Sequence, residues 1–331
     1  MQLVKQSYEI LEQEIPVRKL SDSALSYKNR YLEAMYKHIE RCGRVCYKSE
    51  DRITEGSAER FVNGLIKTNH LSVLEHGTIY LAIPGQEPDE FGNTCPWRSD
   101  VEGNYQKNSY SIEHLVNYRE EAIGVQKEFC DYVTKTTTYI TTNYRVIVEN
   151  GWWNDLQFLC EPTIHHEKRH TVLLHSCIHT YKDLTRHRKM SFSIESTRYC
   201  NYSKTDKFGE MKFVIPTWVE LPPGSYFYDG KLSELGKKIV DPFSSIGTFV
   251  NHLVRCEQTY DCLISEGWQA QQAAEILPQC TAADVVMSGF APDWKFVFKL
   301  RSDTAATGKP HPLVEELMTP LRDEFISKKY I

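Results

Sequence analysis

The chain has 331 residues, of which 41% are hydrophobic and 12% aromatic, which is enough apolar material for a large buried core. Its 44 acidic residues outnumber its 39 basic ones, so no overall positive field attracts nucleic acid or an anionic membrane. The apolar runs fall far short of the roughly 20 residues that span a bilayer, the start of the chain does not resemble a signal peptide, and the ten cysteines form no C-x-x-C pair. We therefore expect a globular cytoplasmic protein with reduced cysteines and with neither nucleic-acid nor membrane partners.

The first half of the chain predicts two helices, a strand and then mainly loop and helix. Within residues 26–68, "YKNRYLEAMYKHIERCG" predicts a helix that ends at Gly43, and "GSAERFVNGLIK" predicts a second helix with Ser57 as its N-cap. The segment "TIYLAIP" predicts a strand, and residues 84–108, rich in Gly, Pro, Asn and Asp, predict a loop or mobile lid. A long helix is expected from about Ile112 to Asn150, followed by a loop around Glu161–Lys168.

The second half predicts strands separated by helices. The segment "HTVLLHSCI" predicts a buried strand, "SCIHTYKDLT" a short helix and "EMKFVIP" another strand. Residues Ser233 to Trp268 predict a long helix, and a terminal helix is expected to begin near His311 and Pro312. Because strands and helices do not alternate regularly, we expect an α+β fold with helices packed on a mixed or antiparallel sheet. No linker divides the chain, so residues 1–331 are predicted to form a single domain.

The segment "HHEKRH" contains a formal H-E-x-x-H pattern that runs from His166 to His170. On a helix, this spacing places two imidazoles for a zinc ion and a glutamate as general base. Here Lys168 and Arg169 occupy the central positions, and two cations beside a dication oppose metal binding. We therefore expect no metal, and a zinc hydrolase stays only as the less favoured alternative.

The most concentrated group of anion-binding side chains lies in "TRHRKMSFSIESTRYCNYS", residues 185–203. Only Asp183 and Glu195 lie near enough in sequence to balance the charge. Arginine binds phosphate through two parallel hydrogen bonds, and serine and threonine hydroxyls complete such sites. The four potential cations are Arg186, His187, Arg188 and Arg198. The segment therefore predicts a site for a phosphorylated small ligand.

This segment resembles the signature of the flavin-dependent thymidylate synthases, in which Arg-His-Arg is followed after seven residues by Ser and then by x-Arg-Tyr. Two other segments resemble the family in the same order along the chain. The first is a His-x-Ser-x-x-Glu-His pattern formed by His70, Ser72, Glu75 and His76. The second is "ILPQCTAADVVMSGFAPDWKFVFKLRSD", followed by "HP". Together these matches leave residues 84–170 largely outside the family pattern, as an insertion.

The resemblance implies reductive methylation of dUMP to dTMP, with methylene-tetrahydrofolate as the one-carbon donor, FAD as the redox carrier and NADPH as the reductant. It also implies a thymidylate synthase-complementing-protein-like fold and a homotetramer whose active sites combine residues from neighbouring subunits. The FAD contacts that it implies are Ser72, Glu75, Arg186, His187, Arg188 and His311. The dUMP contacts that it implies are Asp183, Arg186, Glu195, Ser196, Thr197, Arg198 and Arg301. Its catalytic residues are Arg301, which favours ionisation of the uracil N3–H, and His70, beside the flavin.

Some positions depart from the family pattern. Ile194 stands where Glu or Gln is usual, with Glu195 one place later, and Ala274 replaces an arginine that contacts dUMP. Asp183 replaces a Gln or Glu, and "FAPDWKF" is mostly apolar where polar contacts to FAD are expected. These departures leave a second hypothesis open, namely a nucleotide-binding relative with little or no catalytic activity.

Cys200 is the one cysteine that the sequence places beside the predicted phosphate-binding arginine, Arg198. If "STRYC" is extended, Cys200 and Arg198 share a face, and the arginine would favour a reactive thiolate. The resemblance instead implies hydride transfer without a cysteine nucleophile. We therefore expect Cys200 to be dispensable for the reaction.

Overall fold

The computed structural model describes residues 1–94, 100–204, 209–228, 231–232, 237–238, 240–303 and 308–331. Its strands are β1 Gln2–Val4, β2 Ser7–Leu11, β3 Thr78–Pro84, β4 Ile112–Glu121, β5 Tyr132–Asn143, β6 Arg169–Cys177, β7 Ser191–Ile194, β8 Lys212–Val214, β9 Gly224–Ser225, β10 Lys231–Leu232, β11 Lys237–Lys238 and β12 Ala282–Phe290. Its helices are α1 Ala24–Arg44, α2 Ser57–Lys67, α3 Tyr144–Asn150, α4 Ile178–Leu184, α5 Ser245–Ser265, α6 Ala270–Ala273, α7 Ala291–Arg301 and α8 Pro312–Ser327. No helix among these residues is long and apolar enough to cross a bilayer.

The central sheet is antiparallel and has the strand order β2-β6-β12-β7. Helices α7 and α8 cover one face and bury the aromatic rings of Trp294, Phe298 and Phe325 against Val172 and Leu174. The other described sheets are β3-β5-β4, the mixed sheet β8-β1-β9 and the β10-β11 pair. Helices packed on mixed and antiparallel sheets confirm the predicted α+β class.

The helix predicted from Ile112 to Asn150 is wrong. Strands β4 and β5 form a long hairpin, and only α3 at its end is helical. The segment "TKTTTYITT" within β5 is rich in β-branched residues, which favour extended backbone. Strand β5 also pairs with β3, from Thr78 opposite Asn143 to Pro84 opposite Thr137, and this distant pairing stabilises the strand.

The helix predicted from Ser233 begins only at Ser245. The hydroxyl of Ser244 caps it by accepting a hydrogen bond from the Gly247 amide at 3.0 Å. Strands β10 and β11 occupy part of the preceding segment, while residues 233–236 lie outside the described residues. In the predicted loop of residues 84–108, residues 95–99 likewise lie outside, and the described part is irregular apart from one short 3₁₀ turn.

Two helix boundaries also differ from the predictions. Helix α1 continues past Gly43, where a Cβ atom would lie 2.6 Å from Val73 Cγ1, so the glycine permits close packing and does not end the helix. Gly56, with φ of 70°, is the N-cap of α2, and Ser57 is its first residue. The strand at 78–84, the helix after β6 and the terminal helix capped by His311 are confirmed.

Candidate functional site

The end of α7 meets the end of α4 and brings three of the predicted site residues together. Arg301 donates from Nε to His187 Nε2 at 3.2 Å and from Nη2 to the Asp183 carbonyl oxygen at 3.0 Å. Its Nη1 lies 3.6 Å from the Asp183 carboxylate. These contacts fix the plane of the guanidinium group although the residues are more than a hundred positions apart in sequence.

His187 is buried and neutral at pH 7. Burial, and after it the Arg301 cation, lower the pKa of its imidazole to about 4, although Asp183 opposes the shift. Because Nε2 accepts the hydrogen bond from Arg301, the proton of the neutral ring is on Nδ1. The imidazole therefore orients Arg301 without adding a second positive charge.

His311 lies beside the same group. Its Nδ1 accepts a hydrogen bond from the Leu313 amide and so caps α8, and its ring centroid is 3.9 Å from that of His179. Burial lowers the pKa of His311, His179 lowers it as well, and the Asp183 carboxylate raises it. One group of side chains therefore contains Asp183, His187, Arg301 and His311. His179 lies beside this group, and the sequence analysis did not identify it as a site residue.

Arg186 and Arg188 are exposed on the turn that connects α4 to β7. Among the residues that the structure describes, no carboxylate forms an ion pair with either guanidinium group. Their N–H donors face solvent on both sides of the buried His187. Two unpaired guanidinium groups separated by a single residue are suited to a ligand with more than one negative charge.

Glu195, at the other end of β7, is buried in a charged network. Its carboxylate accepts hydrogen bonds from the Tyr202 hydroxyl at 2.9 Å and from the Asp284 amide at 3.0 Å, and it lies 3.1 Å from Lys48 Nζ. Burial raises the pKa of Glu195, and the Lys48 ammonium opposes this shift. Lys48 also pairs with the Asp284 carboxylate, which accepts a hydrogen bond from His175 at 2.7 Å.

The residues after Glu195 form a turn. The Ser196 amide donates to the Cys46 carbonyl oxygen at 2.9 Å, and the Ser196 carbonyl accepts from the Cys200 amide at 2.9 Å. Arg198 is exposed, with its guanidinium carbon 5.2 Å from the Tyr199 ring centroid. Thr197 is partly exposed on the same turn, so the predicted phosphate contacts remain accessible.

The extended conformation considered for "STRYC" is wrong. Because the chain turns here, Arg198 points to solvent, whereas Cys200 is fully buried and packs with the core beside α5. The cation and the thiol therefore do not share an exposed face. This geometry removes the reason for expecting a reactive thiolate at Cys200.

The N-terminal pattern forms a 3₁₀ turn, Leu71–His76, that packs against β7. His70 and Ser72 are exposed, whereas the Glu75 carboxylate pairs with Arg145 Nη1 at 2.6 Å. His76 is buried and bonds through Nδ1 to Ser288 Oγ at 2.7 Å and through Nε2 to Ser193 Oγ at 2.9 Å. His76 thereby fixes the turn to the two strands that hold the site.

The H-E-x-x-H pattern does not form the helix that a zinc hydrolase requires. His166 lies in a turn, with Nε2 bonded to the Leu81 carbonyl oxygen at 3.0 Å. His170 lies in β6 and stacks on Tyr330 at 4.2 Å between ring centroids. The two imidazoles therefore do not lie one turn apart on a helix face, and this alternative loses its geometric basis.

The predicted site residues form two groups rather than one. Asp183, His187, Arg301 and His311 lie at the start of β7, whereas Glu195 to Arg198 lie beyond its end. Strand β7 has four residues, and each extended residue adds about 3.3 Å, so the length of this strand separates the two groups.

Lys48 is a residue of the charged network around Glu195 that the sequence analysis missed. Its backbone is left-handed, with φ of 46°, and the segment around it carries no recognisable motif.

One arginine oriented between a buried histidine and an aspartate, with exposed guanidinium groups beside it, is an arrangement suited to an anionic small ligand. The model of the family described as thymidylate synthase complementing protein matches residues 165–325 of the chain. The match confirms the resemblance seen in the sequence. No curated protein matches the chain.

Two solved structures with low similarity are those of the UMP/dUMP methylase PolB from Streptomyces cacaoi. The structure bound with 5-Br dUMP is 16% identical, with a TM-score of 0.40, over 100% of this chain and 93% of that chain. The structure bound with 5-Br UMP is 15% identical, with a TM-score of 0.40, over 100% of this chain and 92% of that chain.

Proposed function

We propose that the protein is an FAD-dependent thymidylate synthase that methylates dUMP to dTMP with methylene-tetrahydrofolate as carbon donor and NADPH as reductant. The observation that carries this proposal is the Arg301 guanidinium group held by His187 and Asp183, within the segment that the family model matches. Bound FAD would supply the redox chemistry, and the protein supplies positions and charges.

Arg301 is assigned to the uracil ring. A guanidinium group keeps its charge at every physiological pH, so it stabilises negative charge on the ring without losing a proton. Two of its nitrogens already contact fixed acceptors, which removes most of its rotational freedom. The neutral His187 keeps this orientation and leaves the positive charge of Arg301 for the ligand.

Arg198, Ser196 and Thr197 are assigned to the dUMP phosphate. The Arg198 guanidinium group is exposed and rests on the Tyr199 ring. It forms no ion pair with any residue that the structure describes, so none of those contacts has to be broken when a phosphate binds. Glu195 faces inward to Lys48 and Tyr202, and its part is to position this turn. Its assignment as a direct dUMP contact therefore has less support than that of Arg198.

The residues present fit FAD on the side of Arg186 and Arg188. Their guanidinium groups, which form no ion pair within the described part of the chain, offer charge for its phosphates, and exposed Ser72 and His70 offer further donors. Glu75 forms an ion pair with Arg145, so its role is to hold the Leu71–His76 turn.

Since the two groups of site residues lie beyond opposite ends of β7, we also propose a homotetramer in which neighbouring subunits complete each site.

A second candidate is a nucleotide-binding relative that turns over little or no dUMP. Ile194 packs its side chain into the core under α7 and α8, so it offers no carboxylate to a ligand. Ala274 packs beside α5 and leaves the expected arginine contact unfilled. Binding of dUMP without formation of dTMP would favour this candidate.

The absorbance spectrum of the purified protein, before and after addition of FAD, tests the proposal. We expect bound flavin, and dTMP formation that requires NADPH and methylene-tetrahydrofolate. A colourless protein that does not take up FAD and contains one zinc ion per chain would contradict it. Zinc content and dTMP yield are measured on the same preparation, so the three candidates are separated together.

A further inference from the structure

A cavity of about 240 Å³ lies where β2 separates from β6. Strand β2 pairs with β6 only as far as Leu11 opposite Thr171, so the first two residues of β6 have no partner on that side. Tyr80 and Tyr330 line the opening space. At about 30 Å³ for each water molecule, the volume admits several waters or one small ligand. None of its lining residues was assigned above to dUMP or to FAD.

Arg169 lines this cavity and has buried donors without acceptors. Its Nε and Nη1 atoms are buried and have no hydrogen-bond partner. The guanidinium carbon lies 5.4 Å from the Phe290 ring centroid. Burial lowers the pKa of Arg169 to about 10, although the carboxylates of Glu75 and Asp293 oppose this shift. A buried cation without hydrogen-bonded acceptors is costly, and proteins keep such groups mainly where a charged partner occupies the space beside them.

The lining of the cavity carries more positive than negative charge. Lys168 Nζ donates to the Thr163 carbonyl oxygen at 3.1 Å and lies 5.6 Å from the Tyr80 ring centroid, and no carboxylate of the described residues forms an ion pair with it. Glu12, whose carboxylate accepts a hydrogen bond from the Tyr330 hydroxyl, is the one acidic residue among the described lining residues, while Glu75, Asp293 and Glu167 act on the two cations from outside the lining. Within the lining, two cations against one carboxylate favour an anionic occupant.

His170 adds a polar atom of a different kind. Burial lowers the pKa of its imidazole to about 4, so the ring is neutral at pH 7. Its Nε2 is buried and has no hydrogen-bond partner. A ligand oxygen would supply the missing partner, as the acceptor where Nε2 carries the ring proton and as a protonated donor where Nδ1 carries it.

We propose that this cavity is a second anion site, in which Arg169 and Lys168 bind the phosphate or carboxylate group of a small ligand. The site uses the charged centre of the "HEKRH" segment, which the proposed function leaves without a role. It lies outside the residues assigned to catalysis, and it does not depend on the proposed function.

Binding of inorganic phosphate and, separately, of acetate tests the proposal by calorimetric titration of the intact protein. Saturating dUMP and FAD are present throughout, so the arginines assigned to those ligands are occupied. The variant is Arg169→Met, which removes the charge and keeps a long apolar side chain. The matched control is Arg60→Met, at an exposed arginine on α2.

We expect at least one of the two anions, phosphate or acetate, to bind the wild-type protein and the Arg60→Met control with equal affinity. Its affinity for Arg169→Met should be at least about tenfold lower, because a charge-assisted contact is lost. Binding of phosphate alone would identify a phosphoryl group, and binding of acetate alone a carboxylate. Equal binding to Arg169→Met and wild type, or no binding of either anion, would overturn the proposal and leave a water-filled cavity.

Two further measurements keep the test decisive if Arg169→Met is unstable. Lys168→Met, which alters a partly exposed side chain, should also weaken binding, by roughly threefold or more. Added phosphate or acetate should raise the unfolding temperature of the wild type more than that of Lys168→Met, because a ligand stabilises the state that binds it. Identical shifts in the two proteins would contradict a site at this cavity.

Discussion

Replacing Arg301 by Lys tests the assignment of this residue to the uracil ring. Lysine keeps the positive charge but has one nitrogen in place of three, so it cannot hold His187 Nε2 and the Asp183 carbonyl oxygen while it faces a ligand. A charge-assisted hydrogen bond contributes about 1.5–3 kcal/mol. At about 1.4 kcal/mol for each factor of ten, dTMP formation should fall roughly 10- to 150-fold.

The assay compares two rates in the same preparation. Formation of dTMP reports the complete reaction, whereas NADPH-driven reduction of bound flavin does not require charge to develop on the uracil ring. We expect the first rate to fall and the second to change by less than about threefold. Lys299→Ala, at an exposed position on the same helix, is the control for damage to α7 and should leave both rates unchanged.

The position of His187 supplies an independent readout. Arg301→Gln removes the cation that helps to lower the pKa of the His187 imidazole, so this pKa should rise while burial still keeps it below the ordinary value. Histidine NMR resonances followed over pH measure the shift. Equal loss of both rates in Arg301→Lys, or unchanged dTMP formation, would refute the assigned role, whatever the NMR result.

Three further predictions concern other parts of the molecule. Arg198→Ala should weaken dUMP binding by about 1.5–3 kcal/mol in titration calorimetry and leave flavin content unchanged; loss of flavin with unchanged dUMP affinity would mean that the two ligands are exchanged. Cys200→Ser should keep dTMP formation within about tenfold of wild type, and a thousandfold loss with intact flavin would restore a thiol nucleophile. Burial lowers the pKa of His76 to about 3 and that of His38 to about 4, so each stays neutral in the folded protein while the unfolded chain is protonated below pH 6.5. Each therefore contributes to the free energy of unfolding above pH 6.5, and this contribution is lost as the pH falls, by about 1.4 kcal/mol for each histidine between pH 7.5 and 5.5. Urea unfolding at the two pH values measures this loss. The loss should be about 1.4 kcal/mol smaller for His76→Asn than for the wild type, and an identical loss would contradict the prediction.

Sequence patterns predicted the elements whose signals are local. Strand β6 has a continuous apolar run, and α8 begins at a histidine cap followed by Pro312, so both were identified from nearby residues. The β4-β5 hairpin was missed because its strands are stabilised by pairing with β3, more than fifty residues from parts of β5. The late start of α5 was missed because the position of its first residue is set by the Ser244 N-cap and not by the composition of the segment before it.

The site was predicted as a set of residues but not as an arrangement. Family resemblance pointed to Asp183, His187 and Arg301, but their convergence depends on α4 and α7 meeting at one edge of the central sheet. Lys48 and Asp284 carry no short pattern, and they become recognisable only because they surround the Glu195 carboxylate. Residues 84–170 stay predicted as an insertion, of which the family model matches only residues 165–170.

Strand β7 also limits how the length of the chain can change between the two groups of site residues. Its Ser193 faces His76, whereas Phe192 and Ile194 face the core under α7 and α8. Insertion of one residue would exchange these two faces, and insertion of two would keep the faces but move Glu195 away from the Asp284 amide. The seven-residue interval between the Arg-His-Arg triplet and Ser196 is therefore a fixed length, and insertions or deletions will be tolerated only outside it.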